Sequence, residues 1–212
     1  MKHILNVEGI PGAGKSTTAA QLDESFRLSG FDSYWVLEEA SDHPIGTAGL
    51  RRDQGEEKFA SACLESWKGF VEQNSRVAIL DGFALQSTVR FLFAMNASRH
   101  TIEEYFGKWQ EIGESCSSIV FLNVAEPEKH FREFVIPLRG EDWCRKVSSY
   151  VSATPYGLER NFSGVDGLIN FWSEYQAVCL DLLSESTIAT LIGDHMDRRW
   201  IESYLRSIQY AA

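Results

Sequence analysis

Residues 9–16 read Gly9-Ile10-Pro11-Gly12-Ala13-Gly14-Lys15-Ser16, which fits the phosphate-loop pattern G-x-x-x-x-G-K-[ST]. The run Ile4 to Ile10 before it is apolar and short, which predicts a buried strand. Residues 15 to 29 after it predict a helix, with Ala19, Leu22 and Phe26 on one face and Gly30 as its C-terminal stop. Strand, glycine loop and helix are the context the pattern's mechanism needs. Glycines let the backbone approach phosphate oxygens closely, and the N–H groups at the helix start present positive potential to an anion. Nucleotide contact is therefore expected from Gly9, Pro11, Gly12, Ala13, Gly14, Lys15, Ser16 and Thr17. Lys15 is expected to reach the β- and γ-phosphates of ATP, and Ser16 to ligate Mg²⁺ through its hydroxyl. A glycine turn without a ligand would not explain Gly14-Lys15-Ser16 at this position.

Outward from the loop, the chain alternates. Ser33 to Leu37, Val77 to Leu80, Ser118 to Val124 and Thr187 to Ile192 read as four further strands. Phe59, Cys63, Trp67, Phe70 and Val71 recur at helical spacing and are assigned to the core. A helix is expected from about Gln86 to Asn96. Thr101 and Glu104 form a capping-box pattern that opens another. Val165 to Leu183 is helical, and Trp200, Ile201, Tyr204, Leu205 and Ile208 stripe a last helix. Residues 41 to 55 read as a loop or broken helix. Residues 125 to 164, with Pro127, Pro137, Gly140, Pro155, Gly157 and Gly164, read as an irregular lid. Strands alternating with helices imply an α/β fold, a parallel sheet covered on both faces. The length is that of a single domain, residues 1–212.

Three further signals carry chemistry. Ile79-Leu80-Asp81 puts an acid at the end of an apolar strand, on the carboxyl edge where ligands of parallel sheets bind. Asp81 is assigned to Mg²⁺ with Ser16; the plain alternative is a turn aspartate before Gly82. Leu37-Glu38-Glu39 ends the second strand on the same edge. One of these acids can accept a proton from an acceptor hydroxyl, and a solvated pair is the alternative. Arg132, Arg139 and Arg145 lie in the lid. Phosphoryl transfer spreads negative charge over the γ-phosphate oxygens, which closing arginines stabilise, although Glu133, Glu141 and Asp142 make a solvated charged segment the competing reading. Arg51, Arg52 and Arg90 are further cations that could meet an acceptor phosphate.

Lys and Arg total 20 against 30 Asp and Glu, a formal net charge of −10 that disfavours a nucleic acid polymer or an anionic membrane as partner. No apolar run approaches the ~20 residues of a membrane helix, and Met1-Lys2-His3 leads into a strand rather than a signal peptide. Cys63, Cys116, Cys144 and Cys179 have no CxxC or zinc spacing. The expectation is free, mostly buried thiols and a cytoplasmic location.

Taken together, these residues resemble the P-loop kinases of nucleosides and nucleotides, closest to a poorly characterised bacterial branch of kinase-like P-loop proteins. The branch's pattern is matched by Leu37-Glu38 and His43-Pro44 after strand two, by Asp81 with Leu85-Gln86 after strand three, by Arg132, Arg139 and Trp143 in the lid, and by Gly167-Leu168 opening a long helix. The resemblance implies strand order 2-3-1-4-5, ATP and Mg²⁺ as cofactors, and phosphoryl transfer to a small acceptor, a nucleoside or nucleotide. It implies catalytic roles for Lys15, Glu38, Arg132 and Arg139, and acceptor contacts from Glu38, His43 and Gln86. It allows a homodimer. The Asp-Arg pair of thymidylate kinases is absent, since Gly82 follows Asp81, and Asp-Gly-Phe stands where deoxynucleoside kinases carry Glu-Arg-Ser. A nucleotide-binding regulatory protein without kinase turnover, and a simple ATPase, are the competing functions.

Overall fold

A computed structural model describes residues 2–38, 40–41, 43–44, 55–194, 200 and 204. Strand β1 (His3–Gly9) lies at the centre of a five-stranded sheet. It pairs with β3 (Val77–Asp81) on one side and β4 (Ser117–Asn123) on the other. The outer strands are β2 (Ser33–Val36) against β3 and β5 (Ala189–Asp194) against β4. Every pairing is parallel and the order is β2-β3-β1-β4-β5. Helices cover both faces, which is why β1, β3 and β4 are buried almost throughout; β3 and β4 hold continuous apolar runs, while β1 also buries Asn6 and Glu8. The register sets Val7 opposite Asp81 and Gly9 opposite Leu122, so the ends of β1 and β3 that carry the polar residues lie side by side.

Helix α1 (Lys15–Leu28) follows β1 and buries Ala19, Leu22 and Phe26, the expected face. Helix α2 (Glu56–Gln73) buries Phe59, Cys63, Trp67 and Val71. Trp67 stacks on Trp109 with ring centroids 4.9 Å apart, leans on Phe83 at 5.5 Å, and donates its indole N–H to the Trp109 carbonyl at 3.0 Å. That N–H is the polar cost of burying an indole, and here it is met. Among the described residues all four cysteines are buried and free of disulfides.

Three local expectations are corrected. After β3 the chain does not wait for Gln86. A π-helical turn runs Ala84–Val89, and α3 (Arg90–Ala94) completes the segment. Helix α4 (Arg99–Gly113) is capped by Ser98, whose hydroxyl accepts the Thr101 N–H at 3.1 Å. The capping serine thus lies three residues before Thr101, and Glu104 pairs instead with Lys108 one turn on, at 2.6 Å. Residues 125 to 164 are helical rather than irregular: α5 (Pro127–His130), a π-helical turn Phe131–Val135, α6 (Ile136–Arg139), α7 (Glu141–Ala153) and α8 (Pro155–Glu159). Pro127 and Pro155 occupy first-turn positions, where a missing N–H costs nothing, and Pro137 lies just past the π-helical turn within one helical run. Gly140, at φ 83°, separates α6 from α7.

Helix α9 (Gly164–Ser184) returns the chain to the sheet. Its Gln176 side chain both accepts from the Val124 N–H and donates to the Val124 carbonyl, pinning the exit from β4. Trp200 and Tyr204 are helical, and the Tyr204 hydroxyl meets Ser118 Oγ at 3.0 Å. The remainder of the last expected helix, including Ile201, Leu205 and Ile208, lies outside the described residues. So does most of the 41–55 segment, with Arg51 and Arg52.

Candidate nucleotide site

The loop between β1 and α1 folds as its glycines allow. Gly12 and Gly14 have φ of 80° and 92°, a region that side chains rarely enter. Gly12 is also crowded: a Cβ there would lie 2.5 Å from Val135 Cγ2 and 3.0 Å from His130 Nε2. The lid therefore packs on the loop. His130 Nε2 donates to the Pro11 carbonyl at 3.2 Å, so this histidine binds loop backbone. Ala13 N–H donates to the Ile10 carbonyl at 3.2 Å and closes the turn. With Gly14 as N-cap, the first-turn N–H groups of α1, from Lys15 to Thr17, point toward the loop mouth.

Lys15 is the electrostatic centre. Its ammonium donates to the Gly9 carbonyl at 3.1 Å and the Ile10 carbonyl at 3.4 Å. Burial pushes its pKa below the usual lysine value; Asp81, Glu38 and Glu8 oppose that shift, in that order, and the Arg139 charge adds to it. One ammonium thus senses four charged groups from four separate parts of the chain.

Ser16 Oγ donates to Asp81 Oδ2 at 2.5 Å, joining the start of α1 to the end of β3. A hydroxyl and a carboxylate are hard oxygen donors of the kind Mg²⁺ takes, so the pair fits a magnesium site. Among the described residues no group of three or more His, Cys, Asp or Glu could hold a metal. A cation here would draw its other ligands from phosphate and water.

Glu38, whose charge also acts on Lys15, accepts a hydrogen bond at its Oε2 from Gln86 Nε2 at 2.8 Å. Two of the three expected acceptor residues therefore meet. The third, His43, is fully buried, with its ring set edge-on to Phe83 at 5.7 Å. Arg90 extends the group: its Nε donates to the Gln86 carbonyl at 2.7 Å, and Nη1 lies 3.5 Å from the Tyr150 hydroxyl of α7. Glu39 lies outside the described residues.

The lid arginines separate. Arg132 is exposed and held by Glu128 at 3.0 Å and Asp166 at 2.6 Å. Arg145 is exposed and paired with Asp142 at 2.9 Å. Arg139 is the lid arginine whose charge reaches Lys15.

Glu8 was missed in the sequence. It is fully buried on β1, one residue before the loop. Burial raises its carboxyl from 4.5 to about 7, against backbone N–H bonds from Gln86, Leu85 and Phe83 and the charge of Lys15. The signal available was an ionisable residue inside an apolar run that ends on the phosphate loop.

No protein-family model matches the chain, and no curated protein matches it. Among solved structures it is similar to the YorR protein of Bacillus subtilis, determined in complex with phosphorylated GDP. The two share 14% identity over 98% of this chain and 94% of that one, with a TM-score of 0.50. At that identity the likeness shows the fold alone, a five-stranded parallel α/β architecture. Among the described residues no helix is long and apolar enough to cross a membrane.

Proposed function

We propose that this chain transfers the γ-phosphoryl group of ATP to an oxygen of a small acceptor, a nucleoside or nucleotide. The observation that carries the reading is the arrangement around Lys15. The Ser16–Asp81 pair and the Glu38–Gln86 pair, bonded at 2.8 Å, both bring a carboxylate whose charge acts on it. A protein that only holds a nucleotide needs the first pair. The second offers a carboxylate, oriented by an amide, suited to take the proton of an acceptor hydroxyl. The nucleotide bound to the YorR structure, on the same fold, supports the donor half of this reading.

In this mechanism the loop amides and Lys15 hold the β- and γ-phosphates. Mg²⁺ bound at Ser16 and Asp81 would neutralise charge on the phosphate oxygens. Glu38 takes the proton of the acceptor hydroxyl as its oxygen bonds to the γ-phosphorus, and the bond to the β-phosphate oxygen breaks to release ADP. Arg139 adds positive charge that counts most when the phosphoryl group is between the two oxygens. His43 and Gln86 shape the acceptor side. A screen of nucleosides and nucleoside monophosphates for acceptor-dependent ADP release tests the proposal. Release that no compound stimulates above the acceptor-free rate would leave a nucleotide binder or an ATPase.

A further inference from the structure

The buried Glu8 carboxylate ties the phosphate loop to the acceptor side. Its strand leads directly into the loop, with Gly9 next in sequence. Its oxygens are spent on a different segment: Oε1 accepts the N–H of Phe83 at 2.9 Å and of Leu85 at 3.1 Å, and Oε2 accepts the N–H of Gln86 at 3.0 Å. These amides need an outside partner. They stand at the start of the π-helical turn Ala84–Val89, where no residue precedes them in a helix and the N-cap side chain of Phe83 has nothing to offer. Gly82, at φ 71°, turns the chain so that all three face back to β1, and its own N–H donates to the Val7 carbonyl at 2.9 Å.

A solvated acid would leave this position at a large gain in hydration; a fully buried one stays because three donors surround it. The consequence runs outward through Gln86. Its backbone is held by Glu8, its side chain donates to Glu38, and its carbonyl accepts from Arg90. The orientation of both acceptor-side groups therefore depends on where the Gln86 main chain sits.

We propose that Glu8 is a positioning residue: by holding the amides of residues 83–86 it fixes Gln86, and through it Glu38 and Arg90, relative to the phosphate loop. The consequence for catalysis rests on the phosphoryl-transfer reading above; the positioning itself does not.

The first test is amide hydrogen exchange on the full chain, wild type against Glu8→Gln, with no acceptor present. Glutamine keeps the size but turns one accepting oxygen into a donor, so at least one of the three amides loses its partner. The amides of Phe83, Leu85 and Gln86 are expected to exchange at least tenfold faster, with those of β1 and β4 changed less than twofold. Binding of Mg·ADP, read by calorimetry, should change less than threefold. Unchanged exchange at residues 83–86 overturns the proposal, and so does rapid exchange of these amides in the wild type, a measurement that stands even if the variant does not fold. The second test uses whichever acceptor supports ADP release. Glu8→Gln should raise the acceptor KM at least tenfold more than it alters nucleotide affinity. Because Glu8 acts through Gln86, the double variant with Glu8→Gln and Gln86→Ala should be no worse than Gln86→Ala alone. Additive losses in KM would overturn the route through Gln86. If no acceptor exists, phosphoryl transfer fails and the exchange data still decide the role of Glu8.

Discussion

Ser16 and Asp81, 65 positions apart in the chain, meet at 2.5 Å across the carboxyl edge of the sheet. The contact follows from topology. β3 lies beside β1 in parallel, with Val7 opposite Asp81, so the residue ending β3 must face the helix that follows β1. Asp81→Asn keeps the shape and removes the charge. The apparent Mg²⁺ concentration for half-maximal rate should rise at least tenfold, while metal-free nucleotide affinity changes far less. Titrating Mg²⁺ against rate in both proteins is the check, and an identical metal dependence would make Asp81 a turn residue.

Lys15→Ala should abolish transfer and leave the fold intact. Burial pushes the ammonium pKa below the usual lysine value, so the charge is less favourable here than in water. The melting temperature of the variant should stay within a few degrees of the wild type or rise. A fall of the size of a core truncation, a loss of about 2–5 kcal/mol, would point to a structural lysine instead.

The two lid arginines should differ. Arg139→Ala is expected to lower turnover roughly 10²-fold, the scale of losing one charge stabiliser, with a much smaller effect on ATP affinity. Arg132→Ala removes exposed pairs with Glu128 and Asp166 and should cost less than tenfold. Equal losses in kcat would mean that Arg132 leaves those partners during turnover.

Stability should depend on pH through Glu8. Its folded pKa is raised from 4.5 to about 7, so between these values the folded state binds more protons than the unfolded chain. The contribution is fully present below pH 4.5 and is lost as pH rises through about 7. The stability of the wild type minus that of Glu8→Gln should therefore fall by about 3 kcal/mol across this window. Urea unfolding of both proteins at several pH values measures it; a difference that is flat or rises with pH would contradict the buried acid.

Much of this was legible in the residues, for reasons that differ by position. The phosphate loop is a fixed spacing of glycines, lysine and serine that a plain turn does not explain. Asp81 stood out because it ends an apolar strand, and the structure sets it against Ser16. Glu38 and Gln86 were named separately, through resemblance; their hydrogen bond joins residues 48 apart and follows from no local rule. The division between Arg132 and Arg139 was not readable. Seven residues apart, they would share a face of a regular α-helix, but the π-helical turn Phe131–Val135 breaks that spacing. The helical lid was hidden because Pro127 and Pro155 punctuate helix starts as readily as loops. Glu8 was hidden because Leu5-Asn6-Val7-Glu8 alternates apolar and polar and so places the acid on an outward face, whereas β1 is covered on both faces.

The central claim is that the group leaving ATP arrives on an acceptor rather than on water. The direct measurement supplies ATP labelled at the γ-phosphate, with Mg²⁺ and a panel of nucleosides and nucleoside monophosphates, and follows where the label goes. The account predicts label on at least one acceptor, in step with ADP formed, abolished by Lys15→Ala and strongly reduced by Glu38→Gln. Label found solely in inorganic phosphate, at a rate that no acceptor alters and Glu38→Gln leaves unchanged, would contradict it.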